Sequence, residues 1–261
     1  MITLTTDFGL SDAFVGTMKG VILSIARQAQ IVDISHTVPA QNVVAGALLL
    51  EEAYGYFPPG AIHLAVIDPG VGSARSALAI QTERYTFIAP DNGLLDLVLR
   101  RERIVKCVKL SNPKMHRLPV SATFHGRDIF APAAAHLENG TALDLLGEPA
   151  RPSATVILPV PLKNDAGLEV HVLRIDHFGN LITDLTQPEY SAWNSGNRVI
   201  KLAAGQRTIH GLWSTFSDVP QGEPVAYFGS SGRLEIAVHL GRASEVLQLR
   251  AGSAIQMSFA D

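Results

Sequence analysis

The sequence predicts an α/β N-terminal domain with a largely parallel or mixed sheet, followed by a small antiparallel β-barrel-like C-terminal domain. Three observations carry this. Short β-branched runs alternate with apolar segments at helical spacing through the first half of the chain. A proline-rich stretch from Pro149 to Pro161 breaks that rhythm. Beyond it come only short β-like runs separated by turns rich in Gly, Asn and Ser. The boundary falls at 155/156, giving domains 1–155 and 156–261.

Ile2 to Thr6 is a short apolar strand entering Asp7. Ser11 or Asp12 is placed to cap a helix whose apolar positions Phe14, Met18, Val21, Ile22 and Ile25 recur at helical spacing. Ile31 to Ile34 predicts a second strand. Asn42 to Tyr54 predicts a second helix, ended by Gly55 and the Pro58-Pro59-Gly60 turn. Ile62 to Ile67, Leu78 to Ile80, Tyr85 to Ile88 and Ile104 to Leu110 read as strands. Asn92 to Arg101 and Asp128 to Leu137 read as helices. In the second domain, strands are expected at Val170–Ile175, Leu181–Asp184, Val199–Leu202, Val225–Phe228, Leu234–Val238 and Ala254–Phe259, with no amphipathic helix.

Composition narrows the function. With 261 residues, 47% hydrophobic and 17% charged, the chain can bury a sizeable core. A net charge of −3 argues against a nucleic-acid footprint, which needs a clustered basic face. The single cysteine, Cys107, lies in an apolar run and reads as a buried hydrophobe. No basic region leads into an apolar run and cleavage site at the N-terminus, and no apolar stretch approaches the ~20 residues that span a bilayer. A soluble protein of a reducing compartment, the cytoplasm, is expected.

Five stretches carry candidate chemistry. Asp7-Phe8-Gly9 shares its letters with the magnesium triplet of protein kinases, but only one short strand precedes it and no other kinase motif is present. At a strand's carboxyl end, Asp7 can accept both hydroxyls of a ribose; the plain alternative is an Asx turn or a helix cap. Asp68-Pro69-Gly70-Val71-Gly72-Ser73-Ala74-Arg75 again follows a strand, in a tight loop able to return Arg75 toward Asp68. It lacks Gly-Lys-Ser/Thr, so it is no P-loop, and an ordinary Asp-Pro-Gly turn competes. Thr123-Phe124-His125-Gly126-Arg127-Asp128 brings a histidine to a helix start, where Asp128 as a simple cap is the alternative. No His-x-x-x-His or paired-carboxylate spacing supports a metal. In the second domain, Asp176-His177-Phe178-Gly179-Asn180 and the turn before Leu234-Glu235-Ile236-Ala237, with Ser230 and Ser231, are weaker signals, since β turns commonly use these residues.

Taken together, TTDFG, IDPGVGSAR, TFHGRD, IDHFGN and SSGRLEIAV resemble, in order and spacing, the S-adenosylmethionine hydroxide adenosyltransferases. These are the adenosine-forming SAM hydrolases, kin of fluorinase and chlorinase. The resemblance covers nearly the whole chain. It implies attack of water or hydroxide on C5′ of S-adenosyl-L-methionine, releasing adenosine and L-methionine without metal or other cofactor. It implies a homotrimer whose site lies between the N-terminal domain of one subunit and the C-terminal domain of the next. Asp68, Arg75 and His125 match the set that holds and polarises the water, and Asp7, beside Phe8, matches the ribose-binding acid. Asp176 and Ser230 fall around the methionine moiety, and Phe8, Gly126, Ser231, Glu235 and Ala237 count among the remaining substrate-binding residues. Phe178 and Asn180 fall around the adenine, with Phe216 placed to stack on it.

Two positions bear on the choice within this superfamily. The fluorinase has a serine matching Gly126 and a tyrosine matching Asp68. A carboxylate at 68 repels a halide and suits water, so hydrolysis is expected. The alternatives are a halide-dependent adenosyltransferase and a non-catalytic SAM or adenosine binder. Gly229, His239 and Asp184 depart from asparagines common in the family.

Overall fold

A computed structural model describes residues 1–260. The chain divides into two compact units, Met1–Val156 and Ile157–Asp261.

The first unit contains β1 (Ile2–Thr6), α1 (Phe14–Ile25), β2 (Ile31–Ser35), α2 (Val43–Ala53), β3 (Ile62–Val66), β4 (Ala77–Thr82), β5 (Thr86–Pro90), α3 (Asp96–Leu99), β6 (Ile104–Lys109) and α4 (Ala131–Glu138). Its sheet runs β2-β1-β3-β5-β4-β6. The ladders β2–β1, β1–β3 and β3–β5 are parallel, whereas β4 is antiparallel to both β5 and β6. β1 and β3 are buried along their whole length, as strands covered on both faces must be. Ile2, Leu4, Leu64 and Val66 pack under Met18 and Ile22 of α1 and Phe130 and Ala134 near α4.

Three boundaries differ from the sequence expectation. α1 starts at Phe14 with Ala13 in the capping position and no side-chain cap; Ser11 and Asp12 sit in an exposed bend, and burial of Val15, Met18 and Ile22 sets the start. Only Asp96–Leu99 of the Asn92–Arg101 segment is helical. Asn92 is spent on Ile67 O and Leu94 N, and Gly93 has φ +94°. The last helical segment begins before Asp128, as a π-helical turn over Gly126–Phe130 that leads into α4. Asp128 is no cap: fully buried, it pairs with Arg127 and Arg117 and accepts the Ser121 N–H.

The second unit contains β7 (Leu162–Asn164), β8 (Gly167–Ile175), β9 (Leu181–Thr186), α5 (Gln187–Trp193), β10 (Ile200–Ala204), β11 (Arg207–His210), β12 (Pro224–Phe228), β13 (Arg233–Val238), α6 (Ala243–Val246) and β14 (Ala254–Phe259). Its antiparallel sheet is ordered β11-β10-β14-β8-β9-β13-β12, with β7 beside β8. β11 and β12 approach each other, so the sheet nearly closes around Val170, Leu202, Leu234, Ile236 and Ile255. Two short helices were not expected. For α5 the signal was present: Thr186 and Glu189 form a capping box with Pro188 in the first turn. β7 and β11 are additional strands, short and largely exposed. Among the described residues, no helix is long and apolar enough to cross a membrane.

Candidate active site

The parallel register sets the site's location. Thr6 of β1 pairs with Val66 of β3, so Asp7 and Asp68 leave the same edge of the sheet, at the strands' carboxyl ends. β5 lies between β3 and β4, so the segment joining them crosses over the end of β5, where Ala77 pairs with Pro90. That crossing carries Asp68 and Arg75. It is coiled by the Val71 N–H to Asp68 O and Ser73 N–H to Gly70 O bonds. Gly72 is required twice over. Its φ is +78°, and a Cβ there would sit 2.5 Å from the Ala122 carbonyl. The crossing therefore lies against the segment that leads to His125.

Arg75 ties the three catalytic candidates together. Its Nε donates to Asp68 Oδ1 at 3.0 Å and its Nη2 to Asp68 Oδ2, a bidentate fork. The same Nη2 reaches His125 Nδ1 at 2.9 Å. The guanidinium also lies 5.3 Å from the centre of the Phe130 ring. Both ions are buried, with side chains 5% (Asp68) and 10% (Arg75) exposed. A guanidinium can only donate, so His125 Nδ1 accepts and the ring is neutral, with its proton on Nε2. Burial, and then the Arg75 charge, push the His125 pKa below its usual value, in keeping with that assignment.

Asp68 and His125 line a cavity of about 130 Å³ with Phe8, Gly126, Val66, Val71, Thr123, Phe14 and Phe124. The three phenylalanines meet edge to face at 5.3–6.0 Å. The cavity is thus mostly apolar, with Asp68, His125 and Thr123 as its polar side chains. A Cβ on Gly126 would press on Met18 Sδ at 3.2 Å and on the Phe124 and Phe8 rings at 3.4 Å, so little room remains there. Asp7 lies on the same sheet edge outside this cavity's lining, with Oδ2 accepting the Gln41 N–H at 2.7 Å.

In the second unit, Phe178, Asn180, Phe216 and Ala237 line a cavity of about 450 Å³ with Val238, Leu240, Gly241 and Arg242. Phe178 and Phe216 are 70% and 52% exposed, which leaves both rings accessible to a planar ligand. Asp176 accepts both the Asn180 N–H (2.8 Å) and its Nδ2 (2.9 Å), which fixes the turn that presents Phe178. Ser230 and Ser231 sit exposed in the β12–β13 turn, outside this cavity's lining. Glu235 is also outside it, hydrogen-bonded to Tyr227, whose phenol is pushed up by burial and by that carboxylate. A Cβ at Gly229 would fall on the Glu235 carboxylate, so the missing side chain is what lets Glu235 fold there. Asp184 accepts from the backbone N–H of His171 and lies 2.9 Å from its Nδ1.

Sequence reasoning missed Phe14, Val66 and Val71 as cavity residues, because their apolar spacing reads equally well as core. Thr123 and Phe124 belonged to the polar cluster around His125 and could have been found there. Leu240 and Arg242 carried no signal. Among the described residues, no three His, Cys, Asp or Glu side chains converge into a group able to hold a metal ion.

Comparison with known proteins bears on both units. The family model described as the SAM hydroxide adenosyltransferase N-terminal domain matches residues 2–147, and that of its C-terminal domain matches residues 170–256. A (R)-S-adenosyl-L-methionine hydrolase of Thermus thermophilus is 40% identical, covering 97% of both chains. The protein of the same name from Salinispora arenicola is 38% identical over 98% of this chain and 97% of its own. An uncharacterized conserved protein from Thermotoga maritima, known as a crystal structure, is 35% identical, with a TM-score of 0.91 over 99% of this chain and all of that one.

Proposed function

The chain belongs to the SAM hydroxide adenosyltransferase family, and on that premise we propose that it is an enzyme hydrolysing S-adenosyl-L-methionine to adenosine and L-methionine. The observation that carries this reading is Arg75 bonded to both Asp68 and His125, which share one cavity wall.

The chemistry follows from charge. The sulfonium of the substrate is a cation whose departing thioether takes the bonding electron pair and leaves neutral, so no general acid is needed. What is needed is a water held in line with C5′ at about 3–3.5 Å and an acceptor for its proton. The neutral His125 ring carries its proton on Nε2 and can donate to the water oxygen as it gains negative charge. Its Nδ1 is already occupied by Arg75. Asp68 is then the proton acceptor of the pair, because its oxygens keep lone pairs beyond the Arg75 fork. Arg75 holds both groups and offsets charge developing in a nearly dry corner. The products are adenosine, methionine and one proton.

Asp7 supports the ribose hydroxyls in this reading. The cavity with Phe178, Asn180, Phe216 and Ala237 takes the adenine, and Asp176, Ser230, Ser231 and Glu235 surround the methionine end. The resemblance to the family further supports a cytoplasmic homotrimer in which neighbouring subunits complete each site. No cofactor or metal enters the scheme.

The test is incubation of pure protein with S-adenosyl-L-methionine, with adenosine followed by chromatography. Turnover that survives chelator treatment and is indifferent to added chloride or fluoride is expected. Absence of adenosine, or appearance of a 5′-halo-nucleoside, overturns the assignment. Light scattering that reports a species other than three subunits removes the proposed assembly.

A further inference from the structure

The geometry points to His36 as a positioning residue for the substrate ribose, acting through Thr6 on the turn that carries Asp7 and Phe8. This rests on Asp7 being the ribose-binding acid.

His36 follows β2 directly and is 4% exposed. Its Nδ1 lies 2.8 Å from Thr6 Oγ1, and its carbonyl accepts the Gly9 N–H at 2.7 Å. Thr6 Oγ1 in turn accepts the Phe8 N–H at 3.3 Å. One residue thus holds the β1–α1 turn on both sides of Asp7, through Thr6 before it and Gly9 after it. A third tie, from Gln41 N–H to Asp7 Oδ2, fixes one oxygen of the acid itself.

The direction of this chain is set by its protons. The carboxylate of Asp33 faces His36 Nε2, which favours the ring proton on that nitrogen. That leaves Nδ1 to accept the one proton of the Thr6 hydroxyl, whose oxygen also accepts from Phe8. The ring proton then sits on Nε2, 3.1 Å from Asp33 Oδ1 though bent out of hydrogen-bond alignment. Asp33 Oδ2 receives Lys19 Nζ at 2.6 Å. A polar path therefore runs from Lys19 on α1 through Asp33, His36 and Thr6 to the amide beside Asp7.

A leucine would fill the space of His36 without desolvating an imidazole. What the ring adds is the bond to Thr6. A carboxylate that must meet two adjacent hydroxyls has to be aimed to within about half an ångström. Slack in this turn weakens the grip on the ribose; it reaches the water-holding corner only through Phe8, one apolar wall of that cavity, and breaks no bond of Asp68 or His125.

Dissociation constants for adenosine and 2′-deoxyadenosine, taken as a ratio, read the hydroxyl contact alone. His36→Leu and Thr6→Val are each expected to shrink that ratio by about tenfold, the scale of one charge-assisted hydrogen bond. His36→Asn, whose Oδ1 can accept from Thr6, restores most of it, and kcat changes less than about threefold in all three. Asp7→Ala is the reference. If it collapses the ratio while both His36→Leu and Thr6→Val weaken the two nucleosides equally, His36 is merely structural and the inference falls. If Asp7→Ala leaves the ratio unchanged, the reading of Asp7 itself falls and takes the inference with it. Thr6→Val keeps the test open should His36→Leu fail to fold.

Discussion

Replacing Arg75 with methionine tests the central ion pair most directly. The substitution keeps most of the side-chain volume and removes all three hydrogen bonds to Asp68 and His125. Asp68, only 5% exposed at its side chain, is left as a buried carboxylate without its counter-ion. Breaking a buried pair from one side costs about 3–5 kcal/mol. Neutralising the other side should recover much of that, so Asp68→Asn/Arg75→Met is expected to be at least ~2 kcal/mol more stable than Arg75→Met alone. Activity behaves differently. Both variants lose the cation that orients His125 and offsets a hydroxide-like nucleophile, and kcat falls at least ~10²-fold in each. Urea unfolding followed by circular dichroism gives the first quantity, and adenosine release the second. A double variant no more stable than the single one, or one that regains wild-type turnover, refutes the reasoning.

Other expectations follow from buried titrating groups and close contacts. Because burial and Arg75 lower the His125 pKa, and the neutral ring is the working form, kcat should be flat near neutrality and fall only below about pH 6.5; an acid limb above that value contradicts the assigned proton. His63 is fully buried, stacked on Phe87, and held by burial at about 4 instead of 6.5. Its depressed folded pKa makes its stabilisation complete above 6.5 and progressively lost as pH falls toward 4. Wild type should therefore lose about 2 kcal/mol more than His63→Phe between about pH 7.5 and about pH 5, read by urea midpoints; equal losses would place the titration elsewhere. Gly229→Asn must displace Glu235 from Tyr227, so the tyrosine should ionise at lower pH in an ultraviolet titration while the wild-type phenol stays high. An unchanged curve would mean that Glu235 does not rest against Gly229.

Much of the architecture was legible because it rests on local signals. Ile2–Thr6 is an unbroken β-branched and apolar run and Ile62–Val66 is interrupted only by His63, the pattern of buried parallel strands. Asn42 announced α2, and its side chain does accept the Ala45 N–H. The antiparallel insertion of β4 between β5 and β6 was not specifically legible, since strand order depends on pairings across the fold and leaves no mark in a single segment. The start of the segment after His125 was missed for a similar reason. The buried Asp128 mimics a cap in sequence, whereas Arg127, Arg117 and Ser121 claim its oxygens in space. Within the site, Asp68, Arg75 and His125 were named as a set by likeness to relatives, and their distances then follow from the turn at Gly70 and the close approach at Gly72. Phe14 and Val71 went unnoticed because a hydrophobic wall around a reacting centre is written in the same letters as an ordinary core.

Because β5 separates β3 from β4, the ten residues between them bridge over the sheet and pair with no strand. Exchanges there shift no ladder. The acid after β1, by contrast, is anchored between two parallel neighbours whose register it inherits. On the proposed reading, Arg75 on this bridge can thus be exchanged without disturbing the sheet, whereas the acid that meets the nucleoside is tied to it. A change of acceptor would, on the same reading, rewrite this bridge together with the separate segment carrying His125 and Gly126, and leave the sheet as it is.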